Sequence, residues 1–192
     1  DPTMKLPPLA DLRRIHPVVD TPAALRGACL HRTAHHEAGH VVLMEWAGLT
    51  PTKASASARN GLAEWDLTEI ADDPDQAGHD RPLAAAQAAA VLHAGIVAEL
   101  VHAGLPWRGV LYRPRSQDWK TACFLLAPHF GTGLAGHGFS QRTAHAVLTH
   151  RWPRVQAIAA HLIEHGTWSP EDDDWTTRAN HSRTLRETPP HA

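Results

Sequence analysis

The chain carries His36-Glu37-Ala38-Gly39-His40, two imidazoles four residues apart with a carboxylate directly after the first. On a helix, at 100° per residue, the two histidines stand about 40° apart on one face and one turn apart along the axis, so both can reach one divalent ion. Glu37 then lies beside that ion. The chemistry this spacing suits is hydrolysis: zinc lowers the pKa of a bound water from about 15.7 toward 7, and a neighbouring carboxylate takes the proton as the oxygen attacks a carbonyl. Sixteen histidines in the chain raise the background for any histidine motif, yet its own composition gives only about 0.05 accidental matches to H-E-x-x-H. The pairs His31/His35 and His161/His165 share the spacing, lack the glutamate, and read as ordinary polar helix faces.

A hydrolytic zinc site needs a third protein ligand and an open fourth position. Two downstream carboxylates are candidates, Glu99 in an alanine-rich stretch and Asp118 near the start of the next segment. A glutamate on a following helix is the commoner solution, so spacing alone favours Glu99.

These residues require particular elements around them. Thr21-Pro22 has the form of an N-cap followed by proline at the first helical position, which predicts a helix over 23–47 stopped by Gly48. Cys29, Leu43, Met44 and Ala47 fall on or near the histidine face and point it inward. Asn60-Gly61 between two extended stretches predicts a two-residue hairpin turn. Residues 72–82 are turn-rich and read as a loop. The alanine content of 83–103 predicts a second helix, closed by Gly104 and Pro106. Ser116 is placed to cap a helix reaching about residue 127. Gly131, Gly133, Gly136 and Gly138 read as a flexible loop, and 140–166 as helical with a break at Pro153. The fold class is therefore mainly α with a small β-hairpin. The expected organisation is an extended arm over 1–21, with 1–3 read as a cloning scar ahead of Met4, a zinc-site domain over 22–168, and a polar, disordered tail over 169–192.

Composition narrows the function classes. The 192 residues are 43% hydrophobic and 20% charged, with a formal charge of −2, which suits one globular domain and supplies no overall basic field for nucleic acid or an anionic membrane. Arg108, Arg113, Arg115 and Lys120 with Trp107 and Trp119 form the one stretch resembling a basic and aromatic nucleic-acid patch; it reads better as a solvated loop. Two cysteines, Cys29 and Cys123, exclude a disulfide scaffold and favour a reducing, cytoplasmic setting. The most apolar stretch, 83–101, is mostly alanine interrupted by Gln87, His93 and Glu99, and reads as a buried helix of a soluble protein.

The run Thr33-Ala-His-His-Glu-Ala-Gly-His-Val-Val resembles the zinc-motif helix of the peptidase domain in the FtsH family of ATP-dependent metalloproteases. Later segments resemble that domain in order: the 52–67 hairpin, Ala94-Gly-Ile-Val-Ala-Glu-Leu, Ser116-Gln-Asp-Trp-Lys-Thr-Ala, and residues 157–168. The resemblance implies that Asp118 supplies the third zinc ligand and that Glu99 orients a ligand histidine. Departures accompany it: the sequence holds no G-x-x-x-x-G-K-[ST] phosphate loop, and Ile96 and Leu100 stand where the family has Arg and a second Glu. The expectation is a zinc metallopeptidase, independent of ATP in this chain, cutting peptides or unfolded segments, with Zn2+ on His36, His40 and Asp118 and Glu37 as general base. A separate ATPase or a homo-oligomer could deliver substrate. The rival expectation is a non-catalytic regulatory or interaction module that keeps a peptidase-like zinc site.

Overall fold

The computed structural model describes residues 4–65 and 80–173. The molecule is mainly helical with a little β-structure, as its sequence predicts. We number five helices among the described residues, α1 (Leu30–Ala47), α2 (Arg81–His102), α3 (Gln117–Phe130), α4 (Ala135–His150) and α5 (Trp152–His165), and five short strands, β1 (Val18–Val19), β2 (Pro51–Ala56), β3 (Gly61–Trp65), β4 (Val110–Leu111) and β5 (Thr167–Trp168).

The alanine-rich α2 is the central post. Ala has the highest helix propensity and leaves little bulk, so other helices approach closely. On it pack α1, α3 and α4. Val41, Leu43 and Met44 of α1, Val97 and Leu100 of α2, Leu148 of α4 and Ile158 and Leu162 of α5 close one apolar core. A smaller cluster joins Ala86, Ala89 and Leu92 to Ala122, Leu126 and Phe139. By length and composition α2 could cross a membrane, but 72% of its most apolar window is buried inside the protein. In α1 the burial extends beyond one stripe, from Glu37 through Met44 without interruption, while Ala47 is exposed. An antiparallel sheet in the order β3-β2-β5 lies beside α1, and β1 pairs with β4 in parallel.

Several local expectations are corrected. The first long helix begins at Leu30, not residue 23; a single 3-10 turn at Ala23–Leu25 comes first, and Gly27 at φ 79° breaks the path between them. The hairpin turn is Ser57 to Asn60 rather than Asn60-Gly61: Ser57 N–H and Oγ–H both donate to the Asn60 carbonyl (2.8 and 2.9 Å), and Gly61 is already the first residue of β3, opposite Ala56. Pro82 belongs to the first turn of α2, where its missing N–H costs nothing; residues 72–79 of the expected loop lie outside the described residues. Gly136 and Gly138 are helical in α4, where a Cβ would press on Phe130 and Leu126 and on the His16 ring, so close packing rather than flexibility explains them. Gly48 in the left-handed conformation ends α1, Pro153 opens α5, and Ser116 caps α3, as read from sequence.

The arm expected to be extended contains a 3-10 turn at Leu9–Asp11 and is tied down: Arg142 pairs with Asp11, and His16 packs edge-on against Trp107 at 5.2 Å; residues 1–3 lie outside the described residues. At the other end Arg154 bridges Glu45 (2.7 Å) and Asp173, holding the stretch after β5 against α1 and α5. Residues 174–192 of the expected tail lie outside the described residues.

Candidate metal centre

The centre begins with a helix crossing. A Cβ on Gly39 would lie 2.6 Å from Ala98 Cβ and 2.8 Å from the Ala94 carbonyl, so only glycine lets α1 rest directly on α2. That contact brings two α2 acceptors under the motif histidines. His40 Nδ1–H donates to the Val91 carbonyl at 2.8 Å, and His36 Nδ1–H donates to Glu99 Oε1 at 2.7 Å. A carbonyl can only accept, so His40 carries its proton on Nδ1 and a lone pair on Nε2. Both Nε2 atoms turn toward α3, where Asp118 Oδ2 stands 3.6 Å from His36 Nε2 and 3.9 Å from His40 Nε2.

Asp118 is aimed by the start of its helix. Ser116 Oγ accepts from Trp119 N–H (3.2 Å) and donates to the Arg113 carbonyl (3.1 Å). Trp119 is buried and stacks on His137, centroids 4.2 Å apart and planes within 4°. His137 Nδ1 in turn shares a hydrogen bond of 2.9 Å with His93 Nε2 of α2. The first turn of α3 is thus clamped on both sides of Asp118.

One donor atom from each of His36, His40 and Asp118 lies within 4.8 Å of the others. Glu99 is outside this cluster because it occupies the opposite nitrogen of His36. Its carboxylate is gripped by Arg113 through two bonds of 3.1 Å and approached by Arg32 Nε at 3.3 Å. The site also leaves space in two places: a Cβ on Gly95 would overlap the His36 imidazole, and one on Gly61 would overlap the Glu37 carboxylate. Two imidazole nitrogens and a carboxylate oxygen, with room around them, form a donor set suited to zinc once an ion displaces the Nε2 proton of His36.

Electrostatics agree with a cation-seeking site. Partial burial works against charge on His36, but Asp118 and Glu99 on its two ring nitrogens outweigh it and raise its pKa to about 10. Asp118 loses water as well, yet the His36 imidazole 3.6 Å away and the nearby His40 and His93 hold it down at about 2. A field that retains a proton on Nε2 so strongly also attracts a metal ion to replace it. Burial raises the pKa of Glu37 despite the opposing pull of His40 and His36, which moves this carboxylate toward the range useful for proton transfer. Glu99 goes the other way: burial would raise it, but His36 and Arg113 lower it overall and keep it ionised.

The remaining candidates fall elsewhere. His35 is buried, bonded to the His31 carbonyl at 2.6 Å and stacked on His102 at 3.7 Å, so it is a packing residue rather than a solvated one. His161 faces Asp172 at 3.6 Å. Cys29 and Cys123 are unbridged, and Cys123 Sγ lies 3.6 Å from His137 Nε2. The basic and aromatic stretch does not form one face: Arg113 is engaged by Glu99, Trp119 is buried, and Trp107 donates to Gln141. Reading the sequence missed Arg32 and Arg113 as partners of Glu99, Gly61 and Gly95 as space-makers, and the His93–His137 pair. Only Gly95 left a signal, since a lone Gly inside a helical pattern asks for a packing reason.

No protein-family model matches the chain, and no curated protein matches it. The functional reading therefore rests on the geometry and on the motif resemblance.

Proposed function

We propose that the protein is a zinc metallopeptidase resembling the FtsH peptidase domain, which hydrolyses peptide bonds in peptides or unfolded segments. The observation that carries this reading is the convergence of His36 Nε2, His40 Nε2 and Asp118 Oδ2 within 4.8 Å, with the Glu37 carboxylate lining the same groove. A structural zinc site is usually closed by four protein ligands and has no use for an adjacent base.

His36, His40 and Asp118 would hold the ion. When bound, zinc supplies Lewis acidity, lowering the pKa of water and polarising a carbonyl. Val91 and Glu99 keep the two Nδ1 atoms protonated, so the Nε2 lone pairs stay aimed at the ion's position. Glu37 accepts the proton of the attacking water and passes it to the departing amide nitrogen as the C–N bond breaks. Gly61 leaves the space in which that carboxylate sits.

The test is Glu37→Gln. Zinc content should remain equal to that of the wild type, while cleavage of an unfolded casein-like substrate falls by about 10²- to 10⁴-fold. Cleavage at the wild-type rate would overturn the role of Glu37. Chelation should abolish activity with helical content retained; collapse of the fold would favour a structural ion instead.

A further inference from the structure

We propose that the groove over the metal centre selects peptide segments bearing carboxylate side chains, with Arg59 and Arg115 as the residues that determine this preference. The inference rests on the peptidase reading and names the substrate class of the same site.

The groove encloses about 1190 Å³ and is lined by five arginines, Arg26, Arg32, Arg59, Arg113 and Arg115. Among the described residues three carboxylates line it, Glu37, Glu99 and Asp118, in a chain whose overall formal charge is −2. The positive excess is therefore concentrated at this place. The three carboxylates are already committed: Glu99 to His36 and two arginines, Asp118 to the histidines, Glu37 to its buried position against Gly61.

The arginines divide into two kinds. Arg113 and Arg32 hold Glu99, Arg32 also donates to the carbonyls of Ala24, Arg26 and Gly27, and Arg26 donates to the Thr21 carbonyl. Arg59 and Arg115 are exposed and have neither hydrogen bond nor ion pair among the described residues. Arg59 stands in the hairpin turn, two residues before the Gly61 that touches Glu37. Arg115 stands on the loop entering α3, three residues before Asp118. A chain laid across the centre passes guanidinium groups from two different walls, and an arginine fork matches a carboxylate through two parallel hydrogen bonds.

Nucleic acid fits less well. Its single strands are held by aromatic stacking platforms, and no Phe, Tyr or Trp is among the described residues lining this groove.

The test uses the whole chain, zinc-loaded, with peptides acetylated and amidated so that only side chains differ. Identically labelled peptides carry Glu, Gln or Lys on both sides of one shared apolar core; a single-stranded oligonucleotide of matching charge is the fourth probe. Binding is read by fluorescence anisotropy with the Glu37→Gln variant, and cleavage with the wild type. The Glu peptide should bind about 3- to 30-fold more tightly than the Gln peptide. High salt should close that gap, and so should Arg59→Gln combined with Arg115→Gln, the variant keeping its circular dichroism spectrum. Equal binding of Glu and Gln peptides, no binding of the Glu peptide, a preference untouched in the double variant, or tighter binding of the oligonucleotide would each overturn the proposal. Preferential binding without any cleavage by the wild type would remove the peptidase reading and leave the selectivity standing; cleavage of all three peptides at equal rates would do the reverse.

Discussion

Glu99 Oε1 lies 2.7 Å from His36 Nδ1, and the same carboxylate is clasped from its far side by Arg113 through two 3.1 Å bonds. The imidazole is thereby held in one tautomer and one orientation, with Nε2 facing Asp118. The glutamate that spacing alone favoured as a metal ligand stands instead behind the donor atoms, held by His36 and Arg32 of α1 and by Arg113 of the loop before α3.

Removing the charge of Glu99 should therefore weaken the site without dissolving it. Glu99→Gln is expected to lower zinc affinity by about 10- to 100-fold, measured by competition with a chromophoric chelator, while the circular dichroism spectrum stays unchanged. Unaltered affinity would show that His36 needs no such support.

The glycines separate two kinds of damage. Gly39→Ala drives a Cβ into Ala98 and the Ala94 backbone carbonyl, which cannot yield without parting α1 from α2, so stability should fall by about 1–3 kcal/mol in denaturant titration. Gly61→Ala meets only the flexible end of Glu37. That variant should keep its stability and lose turnover, because the carboxylate is displaced. Comparable stability losses for both variants would contradict this division.

Ser116 links helix capping to ligand placement. Ser116→Ala deletes the acceptor for Trp119 N–H and should cost about 1 kcal/mol. The first turn of α3 loosens with it, so zinc affinity should drop as well. A loss of stability with unchanged affinity would mean that Trp119 stacking alone fixes Asp118.

Acid should destabilise the fold through a second pair of imidazoles. Burial lowers the pKa of His93 to about 3, with a further push from His137, and burial lowers that of His137 to about 4, against an ordinary value of 6.5. Asp118 opposes the shift on His93 and His40 adds to it. Above pH 6.5 both histidines are neutral whether the chain is folded or not, and this contribution to stability is complete. Below 6.5 the unfolded chain takes up protons that the folded one refuses. Stability should then decline by up to about 1.4 kcal/mol per pH unit per site until the folded pKa values are reached. Urea titrations from pH 7.5 to 4.5 with chelator present, comparing wild type with His137→Phe, should give a shallower decline in the variant. Identical slopes would argue against a buried neutral His137.

Much of this molecule was legible in local chemistry. The H-E-x-x-H spacing, alanine-rich helix, Ser116 cap, Gly48 stop and Pro153 break depend on neighbours within a few residues, and each holds in the structure. Local rules misled where a distant surface competed. Asn60-Gly61 has the composition of a tight turn, but Gly61 is needed against Glu37, so the turn moves back to Ser57. Gly136 and Gly138 look like a hinge, yet they are helical because Phe130, Leu126 and His16 leave no room for side chains.

The sequence alone determined that two imidazoles and a carboxylate would share one turn of α1, since helical periodicity needs no outside help. Only the tertiary structure decided which acidic residue meets them, because Glu99 and Asp118 are 59 and 78 residues from His40. That choice follows from the crossing of α1 over α2 at Gly39, which puts Glu99 under Nδ1, and from the clamped start of α3, which leaves Asp118 to face Nε2.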